Sequence, residues 1–152
     1  MKTVTIILGL LFAACVTVAA VVLLTSGVTV TVTGITARSA SEDPELFAQV
    51  LAGMGENADL SQEDITDCTF YTWHVEVNNN TFVRLEMVEA AIETVVQDVS
   101  FIGERKEINI DPHSKAELTI TILTRAVDHP KRDLTVSWYL WGKADRRVIP
   151  VQ

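Results

Sequence analysis

Cysteine is nearly missing from this sequence: 152 residues hold two, Cys15 and Cys68. Cys15 lies inside a long apolar run and Cys68 beyond an acidic segment, so the two are not expected to pair, even in an oxidising compartment. Cys68 reads as a small buried apolar residue, with an intermolecular disulfide as the alternative. Basic residues are also scarce, twelve Lys and Arg against twenty Asp and Glu, for a net charge of −8. Phosphate backbones need a basic footprint, and its lack argues against nucleic acid as a partner. No glycine-rich phosphate loop and no serine in a nucleophile elbow occurs, and there is no internal repeat and no low-complexity tract.

Metal ligands are thinly spread. His74 and Glu76 would project from one side of a strand, but two ligands do not make a zinc site, which takes four groups, or three and a water. His113 and His129 fall in separate loops with no spacing that links them to His74. Asn57, Asp59 and Ser61 take alternate positions of a calcium loop, yet Gln62 stands where glycine is required and Cys68 where glutamate is required. An EF-hand is thus excluded, and a solvated acidic surface is the expected role of this segment. No cofactor, no metal and no catalysis are expected.

What the sequence has, first, is an uncharged apolar run from Val4 to Leu24. As a helix at about 1.5 Å per residue it would match a hydrocarbon layer of about 30 Å. It is longer than the core of a cleaved signal peptide and is closed by no good cleavage site. Phe12-Ala13-Ala14-Cys15 loosely resembles a lipobox, but the residues after Cys15 stay apolar where a lipoprotein would turn polar. Residues 1–25 are therefore read as an uncleaved transmembrane anchor, a signal anchor placing the protein in the cell membrane as a single-pass chain. Lys2 precedes the run and no further base occurs until Arg38, which puts the N-terminus in the cytoplasm and the domain outside it.

Residues 28–152 then read as one domain, large enough for a core of its own. Its charge is uneven: 41–67 carries eight acids and no base, whereas 68–152 carries twelve acids and ten bases. Val28 to Thr33 alternates valine with threonine, the pattern of a strand with one buried face. Asp43-Pro44-Glu45 opens a helix, with Asp as cap and Pro in the first turn, and Leu46, Phe47, Val50, Leu51 and Met54 supply its apolar side. Ser61 and Asp64 can cap one further helical turn.

From Thr69 onward alternation returns. Tyr71, Trp73, Val75 and Val77 share one face, and Asn78-Asn79-Asn80 makes a turn. Asn79-Asn80-Thr81 also fits a glycosylation sequon. Residues 85–99 fit helical spacing, but as a strand Val88, Ala90, Ile92 and Val96 share a face, and the neighbouring strands favour that reading. Glu107–Asp111 reads as a short strand ended by Pro112, and Leu118, Ile120 and Ile122 mark another. Residues 125–133 read as a charged loop. Leu134 to Trp141 follows as a strand, then a loop through Gly142 to Asp145, then a strand from Val148 to Val151. Short strands separated by turn signals give the expected fold: mainly β, an antiparallel β-sandwich with one short helix and an acidic insertion at 41–67.

The order of anchor, Thr/Val strand and acidic helix, followed by Ile110-Asp111-Pro112-His113-Ser114 and Val136-Ser137-Trp138-Tyr139-Leu140-Trp141-Gly142, resembles small bacterial membrane-anchored proteins with immunoglobulin-like domains, an uncharacterised group. The strand–Pro–turn–strand portion also resembles late-embryogenesis-abundant, water-stress type domains. Neither resemblance implies a catalytic residue. The anchor, the missing chemistry and a fold class often used for contacts lead instead to the expectation of a non-enzymatic sandwich that binds another protein of the cell envelope or serves as an accessory subunit of a membrane complex. A module for a small ligand or glycan is the alternative. In the strand from Leu134, alternation sends Leu134, Val136, Trp138 and Leu140 inward and Tyr139 and Trp141 outward. Those two aromatics are covered either by the helix starting near Pro44 or by a partner, with Lys143, Arg146 and Arg147 as a charged rim.

Overall fold

Two antiparallel sheets of four strands each face one another across the main core. The structure is a computed structural model and describes residues 2–25, 27–54, 60–93, 98–102, 107–125 and 132–151. Strands β1 (Val28–Ser39), β2 (Thr69–Asn79), β6 (Ser114–Thr124) and β4 (Asp98–Ile102) form the first sheet, in the order β1-β2-β6-β4. Strands β5 (Ile108–Ile110), β3 (Leu85–Ile92), β7 (Arg132–Leu140) and β8 (Lys143–Val151) form the second, in the order β5-β3-β7-β8. The expected antiparallel sandwich is therefore present.

Residues 2–25 form a helix, α1 (Lys2–Thr25), but the membrane reading of it does not stand. Among the described residues, no helix is long and apolar enough to cross a membrane. The transmembrane and signal anchor, the single-pass cell-membrane location and the extracytoplasmic placement, all inferred from that span, are corrected accordingly.

Side-chain alternation builds the core. Tyr71, Trp73, Val75 and Val77 of β2 and Leu118, Ile120 and Ile122 of β6 point inward from the first sheet. Leu85, Val88 and Ile92 of β3 and Leu134, Val136 and Trp138 of β7 meet them from the second. Burying a side chain of this size contributes about 1.5–3 kcal/mol relative to leaving it in water, so register is strongly fixed. Strand pairing holds for 85–92, with a bulge after Glu86 where Met87 takes φ +51°. The remainder of that expected strand does not continue it. Val96 lies outside the described residues, and from Asp98 the chain has crossed to the first sheet as β4.

The described parts of the acidic insertion form the expected helix and capped turn, and they pack on the first sheet. Helix α2 (Pro44–Met54) is capped by Asp43, whose Oδ1 accepts the Leu46 N–H at 3.2 Å. Ser61 donates from its N–H and its hydroxyl to Asp64, at 2.7 and 2.9 Å, and starts a 3-10 turn (Gln62–Asp67). Those hydrogen bonds hold the Asp64 carboxyl below its ordinary range. Phe47 and Val50 join Ala40, Cys68, Phe70 and Leu123 in a second, smaller core on the outer face of the first sheet. Burial pushes the Cys68 thiol up. Iodoacetamide is accordingly expected to modify the exposed Cys15 in the folded chain and to reach Cys68 only in denaturant. Equal labelling of both in native buffer would overturn that assignment.

One ion pair is sealed inside. The Arg132 guanidinium makes a two-pronged contact with the Asp98 carboxylate, Nη2 to Oδ1 at 2.5 Å, and both side chains are buried. Its Cζ also lies 5.8 Å from the Trp73 ring centroid. The charged stretch 125–133, expected as loop throughout, thus gives its Arg132 to the start of β7. Removing one member strands the other charge in a medium that does not solvate it. Arg132→Met is expected to cost about 3–5 kcal/mol in chemical denaturation, most of it recovered in Arg132→Met/Asp98→Leu. A single-variant loss below about 1 kcal/mol would show that the pair does not clamp the sheets.

Candidate functional site

Strands β7 and β8 are joined by a two-residue turn, since Leu140 pairs with Lys143. Trp141 and Gly142 therefore occupy the two central turn positions, with φ +53° and +71°. Left-handed backbone at both positions matches the twist of a hairpin. Gly142 adopts it freely, but a bulky aromatic pays about 1–2 kcal/mol. Trp141 is thus a turn residue rather than the last residue of a strand, and β8 starts at Lys143 instead of Val148.

The outward register of Tyr139 holds. Tyr139 lies opposite Glu86 on one side and Ala144 on the other, and is 41% exposed; Trp141 is 74% exposed. Helix α2 does not cover them, because its apolar side is taken by Cys68, Phe70 and Leu123 on the other sheet. The expected helical cover is corrected, and the aromatics stand open. Lys143, Arg146 and Arg147 are exposed on β8, and among the described residues none of the three makes an ion pair.

Register separates the two arginines. Arg146 lies opposite Ser137 on the outer row, whereas Arg147 lies opposite the buried Val136 and follows Ile149 along the inner row. That inner row runs past the edge of the core, and there an open groove of about 310 Å³ lies between the edge strands of the two sheets. Gly27 and Val28 line one wall with Thr81, and Asp145, Arg146 and Arg147 line the other, with Trp138 and Leu140 between them. Asp145 accepts the Arg146 backbone N–H at 2.8 Å. The Trp138 indole Nε1 is buried without a partner. Sequence reading found the arginines but missed Thr81, Trp138 and Asp145, which meet only through the register of β8 against β7 and the closeness of β1.

The turn after β2 contributes a second aromatic. Phe82, 63% exposed, meets His113 edge-on with ring centroids 4.8 Å apart. Asn79 beneath it is fully buried, and its amide donates to the carbonyls of Val83, Ile110 and Asp111 at 2.8–3.0 Å. Its oxygen accepts from the Thr81 N–H and hydroxyl, at 3.0 and 2.6 Å. The sequon is therefore spent on structure, since no glycan fits on a sealed amide. Asn79→Ala leaves three carbonyls without this donor and should cost about 2–4 kcal/mol on urea unfolding. A loss under about 0.5 kcal/mol would mean water replaces the amide.

The other sequence candidates are occupied locally. His74 and Glu76 do share the outer side of β2, but His74 pairs with Glu117 at 3.1 Å and Glu76 with Lys115 at 2.7 Å. His129, Asn57 and Asp59 lie outside the described residues. No cluster of three or more His, Cys, Asp or Glu with metal-binding geometry occurs among the described residues. No family model matches the chain, and no curated protein matches it either.

Proposed function

We propose that this chain is a non-enzymatic binding protein whose contact surface is the β7–β8 hairpin and the sandwich end around it. The observation that carries this reading is Trp141, a large aromatic that is both open to water and held in a left-handed turn. An asparagine would make the same turn without strain, so the tryptophan serves something other than folding. Tyr139 beside it, with Lys143, Arg146 and Arg147 around it, gives an aromatic centre and a charged rim, the usual make-up of a protein contact. The immunoglobulin-like resemblance fits the same use, by analogy of fold alone.

A small-ligand module is the second reading, and the groove of about 310 Å³ is what favours it. Its lining is mixed and open rather than enclosed and apolar, which suits a side chain of a larger partner better than a drug-sized molecule.

The variants Trp141→Ala and Trp141→Asn test the leading reading by melting and by cross-linked capture of partners. Alanine should leave stability within about 0.5 kcal/mol, as at an exposed site, and asparagine should raise it by about 0.5–1 kcal/mol. Both should abolish capture that the native chain supports. A loss of about 3–5 kcal/mol in Trp141→Ala would instead identify a core residue and remove the docking surface.

A further inference from the structure

We propose that the groove between β1 and β8 seats a carboxylate of an extended acidic segment of a protein partner. The proposal rests on the contact-surface reading above and names the chemistry of what binds there. Three features converge on it. Arg147 lies on the inner row that runs to the groove, Arg146 joins the lining from the neighbouring outer-row position, and neither makes an ion pair among the described residues. Guanidinium groups favour carboxylates, which they can bind through two parallel hydrogen bonds. The third feature is the lining between them, where Trp138 and Leu140 offer apolar surface to the stem of an acidic side chain.

Charges on an edge strand also keep copies from pairing edge to edge, and Lys143, Arg146 and Arg147 serve that end as well. Edge protection needs no groove behind the strand. The lining sets the guanidiniums of Arg146 and Arg147 against the single carboxylate of Asp145, so the wall is net basic. Strand β8 ends its sheet, which leaves one side of its backbone for an extended segment to follow.

A second copy of this chain is a poorer occupant. Its acids concentrate in 41–67, and there Asp43 lies 3.8 Å from Arg38 while Asp64 is bound by Ser61 and lies 3.6 Å from Arg125. These carboxylates sit in capped helical turns rather than in an extended segment.

The test titrates the full chain with an alternating Glu-Thr octapeptide, the matching Lys-Thr octapeptide and free glutarate, following the Trp138 indole N–H by NMR. The Glu-Thr peptide should shift that resonance saturably, the Lys-Thr peptide should not, and glutarate should bind at least tenfold more weakly. Arg147→Gln should weaken the Glu-Thr peptide about tenfold and flatten its salt dependence, and Arg146→Gln, on the outer row, should do both to a smaller degree. Glutarate binding as tightly as the peptide would make this a small-dicarboxylate site and overturn the proposal. So would peptide binding that ignores both arginines, or self-association lost in Arg147→Gln. Partner capture that needs Trp141 without any response to the acidic peptide would retain the contact surface and remove only the groove. Failure of both would remove both.

Discussion

The buried contact between Arg132 and Asp98 is the constraint that closes this sandwich. Sheet-on-sheet packing by itself is a sum of non-directional burial, and among the described residues the strands of the two sheets do not pair with each other. Asp98 opens an edge strand of the first sheet and Arg132 opens an inner strand of the second, so one guanidinium ties the sheets at a fixed spacing. Trp73 of the first sheet lies against the same guanidinium, which makes that side chain part of the main core as well. The arrangement is costly to build, because both ions leave water and Arg132 Nε is left without a partner. Its return is specificity: any slip of β4 or β7 by one residue turns one charge outward and strands the other.

That clamp sits at the end of the molecule where the acidic insertion packs. Thr69 and Thr124 pair there, next to Cys68, Phe70 and Leu123 beneath α2. At the opposite end Asn79 pairs with Ser114, and the β7–β8 hairpin, Phe82 and the groove gather around it. The chain is thus divided along its length. One end is covered by a helix and closed by an ion pair, and carries many of the acids. The other has no helical cover over Tyr139 and Trp141, and carries aromatics and unpaired bases.

Legibility in the sequence followed the range of the interactions. Alternation from Tyr71 to Val77 and from Leu134 to Trp138 reports a local periodicity, and each inward residue was read correctly. The caps at Asp43 and Ser61 were equally plain, because a cap and its helix are neighbours in the chain. Strand β4 was not legible. Asp98 points a charge into the protein, and a charge reads as surface until its partner, far along the chain at Arg132, is known. The destination of α2 was also hidden, since its apolar side fits any greasy sheet face and only topology chooses between two. Of the contact surface, the residues were legible and the geometry was not. Trp141 was read as a strand end because nothing in its side chain announces a left-handed turn; only the following Gly142 hinted at it.

Departures from local preference are not scattered. Among the described residues, three that are not glycine take positive φ: Met87, His113 and Trp141. Met87 follows Glu86, the partner of Tyr139; His113 packs on Phe82; Trp141 tips the hairpin. All three lie at the end that holds the groove, and Trp138 adds its unpartnered Nε1 there. Phe82, Met87, Tyr139 and Trp141, each substantially exposed, belong to that end too. A fold whose local choices mostly agree with one another concentrates its exceptions where something besides folding sets the residue. Arg132 Nε is the exception at the closed end, and there the ion pair accounts for it. At the open end Met87 N donates to Asn109 and His113 meets Phe82, but among the described residues no ring or ion pair covers Trp141. The contact surface proposed for this end gives those exceptions a common reason.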